Sequence, residues 1–86
     1  MSNYDYRFLL KNSLKLVGLR QVEKGLIKGA LRCVIAAFDA GEPYRTRIAA
    51  LCAGYRVDFV DGPSMKELGC LCGIEIGAGV VGILKE

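Results

Sequence analysis

Two hydrophobic rhythms alternate along this chain. Short apolar runs bounded by Gly, Asp or Pro read as strands, and between them apolar positions three and four apart read as helices with one inward face. A first short helix is predicted from about Asp5 to Ser13, with Phe8 and Leu9 turned inward, then a brief strand over Leu14–Val17 ending at Gly18. A second helix runs from about Arg20 to Lys28, burying Leu19, Val22 and Leu26 and stopping at Gly29. Cys33–Ala37 reads as a buried strand bounded by Asp39-Ala40-Gly41. Pro43 suits the first turn of a third helix, roughly Pro43–Ala53, closed by Gly54. Arg56–Val60 alternates like a strand and Asp61-Gly62-Pro63 reads as a turn. Ser64 caps a fourth helix, with Glu67 as its capping-box partner, and after Gly73 and a loop Ala78–Leu84 makes the last strand.

Four strands interleaved with four helices predict an α/β fold, a three-layer α-β-α sandwich with a four-stranded mixed sheet. At 86 residues and 52 % apolar content, the chain is expected to be a single packed domain over residues 1–86, acting as a monomer. Its N-terminus lacks the basic-then-apolar order of a signal peptide, and the run Ile76–Leu84 is too short to span a bilayer. A cytoplasmic protein with no membrane partner is expected.

Charge changes this picture more than composition does. From Met1 to Arg32, seven cations (Arg7, Lys11, Lys15, Arg20, Lys24, Lys28, Arg32) meet two acids (Asp5, Glu23), whereas the remainder holds five basic and seven acidic residues. Cations four apart repel and weaken an isolated helix by about 0.2–0.5 kcal/mol per pair, so a helix face carrying them is better explained by an anionic partner than by stability. A helix opening also presents unpaired N–H groups and partial positive charge. Arg20, Gln21 and Lys24 reach one side of that opening, with Lys28 continuing the basic face. Arg can bridge a guanine edge or clamp phosphate, Gln can donate and accept at a base edge, and Lys adds a longer-reaching cation.

Other chemistries find little support. There is no histidine and no serine-centred nucleophile motif, and Asp39, Asp58, Asp61 and Glu75 form no recognisable acid/base pair, so no enzyme activity and no cofactor are expected. Cys33, Cys52, Cys70 and Cys72 lie in apolar neighbourhoods without a Cys-x-x-Cys spacing, which predicts reduced core thiols rather than a metal site, with a small-ligand or redox protein built on Cys70 and Cys72 as a weaker alternative. Gly77-Ala78-Gly79-Val80-Val81-Gly82 matches the dinucleotide fingerprint literally but lacks the helix that must follow it.

Two stretches together resemble a known family. Gly18-x-Arg20-Gln21-x-x-Lys24-x-x-x-x-Gly29 looks like the Gly-x-(Asn/Lys)-(Glu/Gln)-x-x-Lys-x-x-x-x-Gly element of the L7Ae/L30e/S12e ribosomal-protein superfamily. Ser64 to Ala78, followed by Gly79-Val80-Val81-Gly82-Ile83-Leu84, looks like its signature helix, loop and last strand, and the likeness is greatest to its small bacterial members. The resemblance implies an RNA-binding protein whose partner is kink-turn RNA, with the ribosome as a candidate setting. In such RNA a bulge beside tandem sheared G·A pairs bends the duplex. Carried over, Arg20, Gln21 and Lys24 contact guanine edges and adjoining phosphates, while Ile74, Glu75 and Ile76 cover the bulged nucleotides. Gly18, Gly29 and Gly73 serve as backbone positions. Arg20 departs from the family's Asn/Lys, and Phe38 stands where a polar residue is common. The alternative class is a protein-interaction module on the same fold, with Ile74 and Ile76 as exposed anchors.

Overall fold

Strand β2 (Leu31–Ala37) is apolar at every position but Arg32, and a β-bulge falls between Leu31 and Cys33. A bulge inserts one residue and reverses the alternation of side chains. Leu31 therefore shares a face with Val34 and Ala36, while Cys33, Ile35 and Ala37 point the other way. A strand buried on both faces must have a layer on each side.

In this computed structural model, which describes residues 6–85, those layers are helices. The elements are α1 (Tyr6–Asn12), β1 (Lys15–Val17), α2 (Leu19–Ile27), β2, α3 (Tyr44–Gly54), β3 (Asp58–Gly62), α4 (Met65–Leu71) and β4 (Val80–Leu84). Leu9 and Leu10 of α1 and Leu68 of α4 pack with Cys33, Ile35, Val81 and Ile83 on one face. Val22 and Leu26 of α2 and Ile48 and Cys52 of α3 pack with Leu31, Val34 and Val80 on the other. Each fully buried Leu, Ile or Val contributes about 1.5–3 kcal/mol through removal from water. The sheet order is β1-β4-β2-β3, with β4 antiparallel to both neighbours and β2 parallel to β3. The expected α-β-α sandwich with a mixed four-stranded sheet is thus the observed one.

Several local expectations are corrected. In α1 it is Leu10, not Phe8, that turns inward beside Leu9, and Phe8 is exposed; Tyr6, Leu9 and Leu10 make the i, i+3, i+4 face, and Asp5 lies outside the described residues. Leu14 is exposed ahead of β1, and Leu19 is half-buried. Asp61 and Gly62 are not a turn but the end of β3, paired with Ala36 and Ala37. A Cβ on Gly62 would come within 2.7 Å of Ile35 Cγ2, so this glycine serves packing. Ala78 and Gly79 precede β4 because their backbone groups bond elsewhere, to Met65 and Ala37. Cys33 and Cys52 are core thiols, but Cys70 is exposed and Cys72 half-buried.

Helix closure accounts for a further difference. Gly54 is the last residue of α3, and Arg56 takes the left-handed conformation beyond it at φ 58°. The Val57 N–H donates to Cys52 and the Arg56 N–H to Ala53, the paired bonds of a Schellman closure. Arg56 is consumed by that closure, so β3 starts at Asp58. Helices α2 and α4 close the same way with Gly29 (φ 67°) and Gly73 (φ 78°) in the left-handed place. An L-residue there costs about 1–2 kcal/mol that glycine avoids.

The strand directions decide where connections emerge. β1, β2 and β3 all run one way, so their C-terminal ends lie at the same end of the sheet as the start of β4.

Candidate functional site

Four connections converge at that end: Gly18 leading into α2, residues 38–43, Pro63-Ser64, and residues 73–79. The Gly18 N–H donates to the Val80 carbonyl at 3.0 Å, and the Ala37 N–H to the Gly79 carbonyl at 2.9 Å. These bonds fasten the opening of α2 and the end of β2 to two consecutive residues, Gly79 and Val80, although 62 positions separate Gly18 from Val80 in the chain.

Gly18 enters α2 at φ 98° and offers no side-chain cap, so the first-turn N–H groups open outward without one. Val22, Gly25 and Leu26 face the sheet, and Arg20, Gln21, Lys24 and Lys28 are exposed on the outer side. A Cβ on Gly25 would sit 2.9 Å from Leu31 Cγ, so this glycine lets the helix lie close to the sheet. Glu23 does not stay among the cations of α2: its Oε2 accepts from Arg47 Nη2 of α3 at 3.0 Å.

Ser64 Oγ accepts the Glu67 N–H at 3.1 Å, capping α4 as the sequence predicts. The Glu67 carboxylate pairs with Arg7 of α1 at 2.7 Å. Beyond Gly73 the chain folds back along α4. The Ala78 N–H donates to the Met65 carbonyl at 3.0 Å, and the Met65 N–H to Asp39 Oδ1 at 2.8 Å. Gly69 allows this approach, since a Cβ there would meet the Ile76 carbonyl oxygen at 2.1 Å. Ile74 is half-buried against the α1/α4 core and anchors the loop, whereas Glu75 is exposed and Ile76 is 76 % exposed. The three residues singled out together in the sequence thus have different roles.

A groove of about 340 Å³ beside the α2 opening is lined by Leu19, Pro43, Tyr44 and Arg47. Gly79 makes room for Tyr44, whose hydroxyl oxygen would lie 2.9 Å from a Cβ at that position. Burial pushes the Tyr44 hydroxyl up, so it remains a hydrogen-bond donor at neutral pH. The sequence marks none of these groove residues as functional: Pro43 reads as a helix opener and Leu19 as core. The groove exists because two helices and the start of β4 meet there.

Burial raises the Cys33 and Cys52 thiols to about 11 each, so they stay protonated and inert. Among the described residues no group of three or more His, Cys, Asp and Glu could hold a metal ion. No helix among them is long and apolar enough to cross a membrane.

A three-layer sandwich with a glycine-entered basic helix set against a folded-back loop defines a class of small binding domain. The chain belongs to the ribosomal protein L7Ae/L30e/S12e/Gadd45 family, whose sequence profile matches residues 7–86. It is 32 % identical over 81 residues to the RNA-binding protein YbxF of Geobacillus stearothermophilus, covering 94 % of this chain and 99 % of that protein. An RNA-binding protein of Bacillus pumilus is 33 % identical over 69 residues, covering 80 % of this chain and 84 % of its own. Among solved structures, a Bacillus halodurans protein of unknown function superposes with a TM-score of 0.85 at 23 % identity, covering 96 % of this chain and 87 % of that one. The Giardia lamblia 15.5kD RNA binding protein gives 0.81 at 22 %, covering 100 % and 79 %. These structural likenesses concern the fold.

Proposed function

We propose that this protein binds RNA without catalysing a reaction, and that its target is a kink-turn. The observation that carries the reading is the Gly18–Val80 hydrogen bond, which holds the basic α2 opening beside the loop that leads into β4. In the proposed complex Arg20, Gln21 and Lys24 meet the edges of the sheared G·A pairs and their phosphates, and Lys28 continues along the backbone. Glu75 and Ile76 lie over the bulge, with Ile74 holding the loop from beneath. The Tyr44 groove has the aromatic, apolar lining that suits an unstacked base. Family membership, and the RNA-binding names of relatives that span nearly the whole chain, support the partner class. A ribosomal or regulatory RNA in the cytoplasm, bound by a monomer, is the setting we propose.

The deciding experiment titrates the protein against a kink-turn RNA and a twin whose sheared G·A pairs are replaced by Watson–Crick pairs, at near-physiological salt. Tight binding to the first and much weaker binding to the second is expected. Equal, salt-sensitive binding to both would reduce the site to a basic surface meeting phosphate. No binding to either would shift the reading to a protein-interaction module anchored by Ile76.

A further inference from the structure

The excess positive charge among the described residues is not at the end just described. Among the described residues, Lys15, Lys28, Arg32, Arg56 and Lys85 stand at the opposite end of the sheet, where β1, β2 and β3 begin and β4 finishes, and Asp58 is the acid there. Elsewhere seven cations meet six carboxylates, with ion pairs Arg7–Glu67, Arg45–Asp61 and Arg47–Glu23 among them. The backbone brings the far-end cations together. The Lys85 N–H donates to the Ala30 carbonyl at 2.9 Å, setting the end of β4 against the Lys28–Ala30 turn. Pairing of Cys33 with Asp58 sets Arg56, two residues earlier, beside the start of β2. Lys28, Arg56 and Lys85 are exposed and make no ion pair among the described residues.

Arg56 supplies an independent observation. The three helices α2, α3 and α4 share one closure, and only α3 sets a cation where the other two have glycine. A strained residue that carries an exposed guanidinium into a basic cluster points to a use for that charge.

We propose that this end is a second RNA-contacting face, a phosphate-binding surface for duplex flanking the segment gripped at the α2 opening. The inference rests on the RNA reading above. Arg20, Lys24 and Lys28 are spaced by four along the exposed side of α2, about 6 Å of rise per step, and lead from one end towards the other. The molecule is 30 Å across, so the far face reaches nucleotides that the α2 opening does not. Lys and Arg without a base-edge partner contact phosphate and fix position rather than sequence.

The test uses one kink-turn RNA in two forms, with the flanking duplex short or extended, and compares the wild-type chain with a Arg56→Gly/Lys85→Gln double variant. Glycine suits the backbone at residue 56, so this variant is expected to fold, and a thermal melt checks it. The wild-type chain should bind the extended RNA roughly tenfold more tightly than the short one, and the variant should lose that advantage. The slope of log affinity against log salt on the extended RNA should become shallower by about 2. Equal affinity and slope for the two proteins on the extended RNA would overturn the second face. If the wild-type chain still prefers the kink-turn to its Watson–Crick twin in that case, the α2 reading stands without it. Loss of that preference together with a variant-sensitive slope would remove the α2 reading and retain the far face.

Discussion

Glu23 Oε2 accepts a hydrogen bond from Arg47 Nη2 at 3.0 Å, so the single acid of α2 is neutralised by a cation of α3. The pair bridges two helices on one face of the sheet, and Arg47 also lines the groove beside Leu19 and Tyr44. An exposed pair of this kind contributes about 0–1 kcal/mol to stability. Its effect on the neighbouring cations should matter more.

Arg47→Ala is therefore expected to leave the melting temperature nearly unchanged and to weaken RNA binding several-fold. It releases a carboxylate between Arg20 and Lys24, a repulsion towards phosphate on the order of 1 kcal/mol. Adding Glu23→Gln should recover much of the loss. A double-mutant cycle by fluorescence-polarisation titration measures this, and a coupling of zero would show that the two side chains act separately.

Gln21→Ala and Lys24→Ala should fail in different ways. Loss of a base-edge pair at residue 21 is expected to cost about 1–3 kcal/mol and to narrow the preference for sheared G·A over Watson–Crick pairs. Loss of a phosphate contact at residue 24 should weaken binding to both RNAs and reduce the salt slope by about 1. Titrations of each variant against both RNAs at several salt concentrations separate the two patterns.

Gly69→Ala should damage the loop through its backbone, leaving every exposed side chain there chemically unchanged. The added Cβ would lie 2.1 Å from the Ile76 carbonyl oxygen, a backbone atom that cannot rotate away. Overpacking of this kind costs about 1–3 kcal/mol. A lowered melting temperature, with increased amide exchange over residues 73–79, is the expected outcome; unchanged exchange would mean that the loop is held by other contacts.

Glu42 gives the fold an acid-sensitive fastening. Its Oε1 accepts from the Thr46 hydroxyl at 2.7 Å and from the Thr46 N–H at 2.9 Å, and the hydroxyl bond first, then the backbone bond, hold the carboxyl below the usual glutamate range. A group whose folded pKa is lowered stabilises the protein above its unfolded pKa, and that contribution is lost as pH falls through the folded value. The melting temperature of Glu42→Gln should lie below that of the wild-type chain at neutral pH, with the gap closing on acidification. Parallel melting curves at all pH values would show that the Thr46 bonds do not depend on the charge.

What the sequence made legible was local. Ser64 before Glu67 marked the start of α4, and Gly29 and Gly73 marked the ends of α2 and α4, because caps and closures need particular residue types at particular places. Arg20, Gln21, Lys24 and Lys28 could be put on an outer face by helical spacing alone, and they are exposed. What stayed hidden depended on partners distant in the chain. Phe8 and Leu10 are equally apolar, and only the position of α4 and the sheet decides which one is covered. Asp61-Gly62 has turn chemistry but pairs with β2 because it continues an edge strand. Ile74 and Ile76 are the same residue type two positions apart, and the fold-back along α4 turns one inward and the other outward.

The sheet order β1-β4-β2-β3 has a consequence for when the protein becomes competent. The strand latest in the chain inserts between the two earliest, so an emerging polypeptide can form α2, with its cations, well before anything holds residues 73–79 beside it. Such long-range closure is slow relative to local helix formation. A nascent or truncated chain would offer charge without shape, and discriminating recognition would be the last property acquired. Under the proposed recognition of kinked RNA, the topology would act as a checkpoint: only a chain that has finished folding could choose among RNAs.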